Sequence, residues 1–383
     1  MKSLAVVTTH PIQYYAPLFQ LLAKSCRLKV FYTWGEAGAK AKYDPDFKQH
    51  ISWDIPLLED YEYEFLKNTA TNPGSHHFQG IVNPDLIQRV QAFKPDAILI
   101  YGWSYQSHFK LMRKLKGKIP IWFRGDSNLL DHQGGFRSYI RKRALRFIYS
   151  YIDTAFYVGS ANKTYYKALG LHQNQLVFAP HAIDISRFSE DKSKEASEIR
   201  KQFHISEHHT LILFAGKLEF KKSPILLLEA FLKLDDPTVH LLFLGNGHLE
   251  ELLKQKAHTN SRVHFVAFAN QTQMPSFYQA CDLFCLPSGG PKETWGLAVN
   301  EAMAAAKAVL VSNKVGCAID LVQPHINGAI FESDNSEDLF EKMQNLIKFE
   351  HLDEMGRASQ RIIQNWNFKY QAAAFLNKLY EGH

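Results

Sequence analysis

Short apolar runs of four to seven residues recur along the chain, each ending near Gly, Pro or another turn residue. In the first half they fall at 3–9, 28–34, 96–102, 119–125, 154–159 and 175–180. In the second half they fall at 210–216, 239–245, 262–268, 282–287, 308–312 and 328–332. Runs this short, rich in Val, Ile, Leu and Phe, suit strands buried on both faces. Amphipathic helical stretches separate them, which implies βαβ units and parallel sheets. Two sets of about six strands therefore predict an α/β fold of two doubly wound, Rossmann-like domains.

The seam between the sets is polar. After "APHAIDISRF" (179–188) comes "SEDKSKEASEIRKQFHISEHH", charged and nearly free of apolar residues, before "TLILFAG" opens a new sheet. This places a first domain at 1–189 and a second at 190–365. Residues 366–383 read as an amphipathic helix expected to pack back on the first domain. The aromatic-rich stretch 40–80 fits the alternation poorly and reads as a long insertion, a kind of loop that is usually functional or mobile.

The 383 residues exceed one ordinary core, and 46% hydrophobic with 21% charged composition fits a globular enzyme. A net charge of +6 permits anionic partners without demanding them, and no nucleic-acid partner is expected. Cys281 and Cys285 sit in one apolar run; on a strand they would stand about 13 Å apart, too far for a disulfide. Free thiols, the lack of a signal-peptide pattern and the lack of an 18-residue apolar stretch lead to the expectation of a cytoplasmic protein, at most peripheral on a membrane.

Candidate chemistry gathers where strands end, since open parallel sheets bind ligands at the carboxyl ends of their strands. Two such domains facing each other would form a cleft. In "FAGKLEFKKSPILLLEAF" a strand stops at Gly216, and Lys217, Lys221 and Lys222 precede a helix opening near Ser223-Pro224. Cations ahead of a helix N-terminus oppose its dipole unless an anion lies among them, although a solvated basic loop reads the same way. Gly245 and Gly247 in "LGNGHLEE" allow a tight turn and close ligand approach, without forming a G-x-G-x-x-G fingerprint. In "PKETWGLAVNEAMAAAKAV", Glu293 precedes a helix starting near Gly296 and Glu301 lies inside it. Eight helical residues span about 12 Å, so the two carboxylates cannot serve one bond. They suit two grips on a long ligand whose charged middle meets the helix N-terminus.

Glu293-x7-Glu301 between strand and helix, "GKLEFKKSP", "LGNGHLEE", "NGAIFE" and "APHAIDISRF" occur together in an order that resembles the family 4 retaining glycosyltransferases of the GT-B fold. The resemblance covers most of the second domain and runs weakly through the first. It implies a nucleotide-diphosphate-sugar donor, with Lys217 and Lys222 holding the diphosphate beside Gly216 and Gly245. Glu293 would grip the donor sugar, Gly296 and Leu297 would offer backbone N–H groups, Glu301 would hold the ribose, and Ala267 and Phe268 would lie near the base. No cofactor and no essential metal are expected.

In the first domain, His10 ends the first strand, and Arg124 and Asp126 follow the strand where relatives often carry a histidine. These three are expected at the active site. The stretch 134–152 combines Arg137, Arg141, Lys142, Arg143 and Arg146 with aromatic residues, which suits either an anionic membrane surface or a solvated basic face. The resemblance implies transfer with retention to a hydroxyl of a glycan, lipid-linked or small-molecule acceptor, as in cell-surface polysaccharide or glycolipid synthesis. The alternatives are a non-catalytic nucleotide- or glycan-binding partner in an assembly and a nucleotide-sugar epimerase on the same scaffold.

Overall fold

The computed structural model describes residues 1–36, 42–44, 49–51, 53–131, 134–258, 260–290, 293–348 and 351–381. The chain divides into two units, one of residues 1–42, 55–182 and 368–383, the other of 43–54 and 183–367.

In the first unit, β1 (Ser3–Thr8), β2 (Arg27–Tyr32), β5 (Glu62–Phe65), β6 (Ala97–Tyr101), β7 (Ile121–Arg124), β8 (Thr154–Tyr157) and β9 (Leu176–Phe178) form a seven-stranded sheet. Its order is β5-β2-β1-β6-β7-β8-β9 and its pairings are parallel. Two short strands, β3 (Lys42–Asp44) and β4 (Gln49–Ile51), form a separate ribbon. In the second unit, β10 (Thr210–Ala215), β11 (Val239–Leu244), β12 (Val263–Val266), β13 (Leu283–Leu286), β14 (Ala308–Ser312) and β15 (Gly328–Phe331) form a parallel sheet of order β12-β11-β10-β13-β14-β15.

The twelve apolar runs each hold one strand, because the central strands are buried on both faces and read as continuous hydrophobic sequence. The seventh strand of the first sheet, β5, lies inside the stretch read as an insertion. Its sequence "EYEF" is exposed or half-buried, as an edge strand allows. Lys29 on β2 bridges Glu62 at 3.0 Å and Glu64 at 3.1 Å, and Tyr32 stacks on Phe65. The signal was electrostatic and cross-strand rather than apolar, so the hydrophobic pattern missed it. The cysteine geometry also differs from the expectation. Cys281 closes the helix Met274–Ala280, so Cys285 alone of the pair lies on β13, and both are buried free thiols.

The helix Phe368–Tyr380 belongs to the first unit. Phe375 meets Phe156 of β8 at 4.3 Å between ring centroids, and the Tyr380 hydroxyl donates to the Ser25 carbonyl. At the amino-terminal ends of the second sheet, three imidazoles line up across neighbouring strands. His209 Nδ1 lies 3.0 Å from His240 Nε2, and His240 Nδ1 lies 3.1 Å from His264 Nε2, with the rings nearly coplanar.

Candidate active site

The second sheet reverses its winding between β10 and β13, and there the loops diverge to opposite faces, opening a crevice at the strands' carboxyl ends. Both loops deliver charge to it. After β10 come Gly216 and the half-buried Lys217, then a 3-10 turn, Phe220–Lys222, and Ser223 in the left-handed region ahead of the helix Pro224–Leu232. After β13 the chain carries Ser288 and then Glu293. Lys222 Nζ donates to Glu293 Oε2, and Ser288 Oγ donates to the same oxygen at 2.9 Å. Oε1 takes part in neither bond.

The Glu293 carboxylate is buried, and its charge adds to burial in pushing the Cys317 thiol well above its ordinary value. The loop is pinned by β-like pairing, with Gly316 N–H donating to the Glu293 carbonyl at 3.1 Å and Cys317 N–H to the Trp295 carbonyl at 2.9 Å. Gly296 has φ of 99°, which favours glycine, and a Cβ there would fall 2.8 Å from Val315. It opens the helix Leu297–Ala304, whose N-terminus has no side-chain cap and no acidic residue in its first turn. Uncapped N–H groups at a helix N-terminus can accept an anion.

Glu301 lies in that helix, 3% exposed, and accepts a hydrogen bond from the Tyr278 hydroxyl at 2.8 Å. The structure thus brings Lys222 and Glu293 into contact and gives Glu301 a different partner. Gly245 ends β11 with φ of 130°, and a Cβ there would fall 2.2 Å from the Gly216 carbonyl oxygen, so the two turns lie directly on each other. Phe268, two residues beyond β12, donates its N–H to Asn246 Oδ1 at 2.8 Å. Sequence reasoning passed over Ser288 and Tyr278. Ser288 stood in a strand-end "PSGG" where a polar residue was a fair signal, whereas nothing in the sequence ties Tyr278 to Glu301.

The first sheet reverses between β1 and β6. His10 lies two residues past β1, with Nδ1 2.8 Å from Thr9 Oγ1 and its ring edge-on to Trp34. Asp126 lies half-buried two residues past β7, and its charge adds to burial in raising the Tyr15 phenol. Tyr15 packs on Tyr101 at 4.5 Å between centroids. The Tyr101 hydroxyl is buried without a hydrogen-bond partner among the described residues, and burial pushes it up to about 12.

Arg124 departs from its expected place. It is buried, and its guanidinium donates to the Ala179 carbonyl at 2.8 Å and the Pro180 carbonyl at 2.9 Å. With its amide turned to suit, Gln371 accepts from Arg124 Nε and Nη2 as well. Arg124 therefore ties the segment after β9 and the C-terminal helix to β7. The planar fork suits that task. Burial, with the nearby Arg124 charge, pushes His181 down to about 3. Among the described residues, no group of three or more His, Cys, Asp and Glu side chains is arranged to hold a metal ion.

Residues 195–365 match the model of the family described as glycosyl transferases group 1. A Campylobacter jejuni N,N'-diacetylbacillosaminyl-diphospho-undecaprenol alpha-1,3-N-acetylgalactosaminyltransferase is 26% identical over 216 residues, covering 55% of this chain and 54% of the relative. A Salmonella typhimurium lipopolysaccharide 1,2-N-acetylglucosaminetransferase is 32% identical over 138 residues, covering 33% of this chain and 36% of the relative. The matched region thus spans between about a third and about half of these relatives' length. Among solved structures, Anabaena HepE in complex with UDP aligns over 99% of both chains with a TM-score of 0.74 at 18% identity. The fold is that of GT-B glycosyltransferase structures, two units each built on a parallel sheet.

Proposed function

We propose that the chain is a retaining glycosyltransferase that moves a sugar from a nucleotide-diphosphate-sugar to a hydroxyl of a glycan or lipid-linked acceptor. The observation that carries this reading is the Lys222–Glu293 pair at the reversal point of the second sheet, beside an uncapped helix N-terminus. A diphosphate there would meet Lys222, Lys217 and the N–H groups at Gly296 and Leu297. Glu293 would turn its carboxylate to the sugar hydroxyls, and Glu301 would take the ribose. The relatives named for transfer to N,N'-diacetylbacillosaminyl-diphospho-undecaprenol and for lipopolysaccharide support the class of acceptor.

In the step itself, the bond from the anomeric carbon to the diphosphate oxygen breaks. The acceptor oxygen bonds to that carbon on the same face, and the acceptor's proton passes to the departing diphosphate. The protein's part is positioning and stabilisation of charge on the leaving group. His10 and Asp126 would line the acceptor side. Arg124 would act by holding the first unit together.

The helix Phe136–Tyr149 supports a lipid-surface acceptor. It buries Leu145 and Tyr149 on one side. On the opposite side Phe136, Tyr139, Ile140 and Phe147 are exposed in one stripe, interleaved with Arg137, Arg143 and Arg146. A second apolar stripe flanked by arginines suits an anionic bilayer surface. Among the described residues no helix is long and apolar enough to cross a membrane.

The test is a thermal-shift screen against UDP, GDP, ADP and their sugars, followed by transfer assays with the stabilising donor. One nucleotide class should raise the melting temperature and release free nucleoside diphosphate on turnover. No shift with any of them, or sugar inversion without nucleotide release, would overturn the reading. Co-sedimentation with phosphatidylglycerol vesicles, lost in F147S/R143S, tests the surface contact.

A further inference from the structure

Residues 43–54 lie between β2 and β5 in the chain, yet they group with the second unit. Their attachment is specific. Asp54 accepts hydrogen bonds from the Thr272 N–H at 3.1 Å and from the Thr272 hydroxyl, in the turn that leads into the helix Met274–Ala280. One residue earlier, the half-buried Trp53 meets Phe268 with ring centroids 6.2 Å apart and planes inclined at 61°. In such an inclined pair Phe268 covers at most one face of the indole, and the other does not meet it.

The place of this pair matters. It lies beyond the carboxyl end of β12, at the same edge of the sheet as Lys222 and Glu293. From the β10/β13 reversal to β12 is two and a half strand spacings, about 12 Å at roughly 4.8 Å per strand. A ribose and base extending from a diphosphate at the reversal point would cover that distance. Phe268 is held firmly by its N–H bond to Asn246, so it offers a fixed surface.

We propose that Trp53 and Asp54 belong to the nucleotide site and that the Trp53 indole is the wall on which the nucleobase stacks, with Phe268 bracing it. This rests on the donor-site reading above. Asp54 anchors the chain next to Trp53, and stacking on an indole tolerates any base, so Trp53 sets nucleotide affinity rather than base choice.

The experiment is calorimetric titration of the full chain with the tightest-binding of UDP, GDP and ADP, and in parallel with inorganic pyrophosphate, which has no base. Trp53→Ala should raise the nucleotide Kd about tenfold or more, leave pyrophosphate binding unchanged, and be rescued by Trp53→Phe. Trp53→Leu, which keeps apolar volume without a ring, should behave as Trp53→Ala and serves if the alanine variant does not fold. An unchanged nucleotide Kd, or equal losses for nucleotide and pyrophosphate, would overturn the inference while leaving the donor reading intact. A wild-type chain that binds no nucleoside diphosphate would overturn both.

Discussion

The two sheets reverse at corresponding points, β1/β6 and β10/β13, yet they present different chemistry there. The second unit places a half-buried ammonium against a buried carboxylate beside a helix N-terminus. The first places aromatic rings, a histidine and a half-buried aspartate, and turns its arginine inward to backbone carbonyls. The same topology thus builds one edge that carries an ion pair and another that carries aromatic rings around a histidine and an aspartate. A scaffold supplies the location, and the loop residues supply the chemistry.

The largest expected effect tests the charged edge. Lys222→Ala should lower the transfer rate by about 10²–10³-fold, the usual cost of removing one donor to developing charge. It should also destabilise the second unit, since a buried carboxylate loses its partner. Steady-state kinetics and melting temperature read the two separately, and a rate within threefold of wild type would remove the pair from the mechanism.

Acidification comes next and compares the units directly. Burial lowers His108 and His240 from about 6.5 to about 4. The folded state keeps these imidazoles neutral while the unfolded chain takes up protons. Their contribution is fully present above about pH 6.5 and is lost as pH falls towards 4, by up to about 3 kcal/mol for a group as buried as His108. His240 cannot protonate easily between two imidazoles with Arg200 and Arg262 nearby. Urea unfolding from pH 7.5 to 4.5 should show the slope. His108→Gln should flatten it in the first unit and His240→Gln in the second; an unaltered slope would assign it to other groups.

Arg124→Met should cost about 2–3 kcal/mol by stranding buried carbonyls, and leave nucleotide affinity unchanged. Lost nucleotide binding with unchanged stability would instead put Arg124 at the ligand and erase the contrast between the units. The smallest effect is expected from Ser288→Ala. It removes one hydrogen bond to Glu293, worth about 1.5–3 kcal/mol at most for a charged acceptor, and should raise the donor KM several-fold with the fold intact.

The strands were legible because burial on both faces writes itself as unbroken apolar sequence, as in β6 and β11. Strand β5 was not, since its partner contacts are Lys29 ion pairs and an aromatic stack that no single-segment pattern records. At the candidate site, the spacing around strand ends marks Lys222, Glu293 and Glu301 as candidates. That Lys222 and Glu293 touch across the reversal point depends on strand order, which spacing does not encode. The bonds of Arg124 were hidden for a related reason. A strand-end arginine looks the same in sequence whether it faces a ligand or the carbonyls of Ala179 and Pro180.

The passage of the chain between units has a practical side for recombination. It crosses four times, after residues 42, 54, 182 and 367. A chimera cut once at the polar seam would inherit residues 43–54 from one parent and the surface that Asp54 grips from the other, mismatching Asp54 with Thr272. The portable cassette is residues 43–54 together with 183–367, transplanted as a pair.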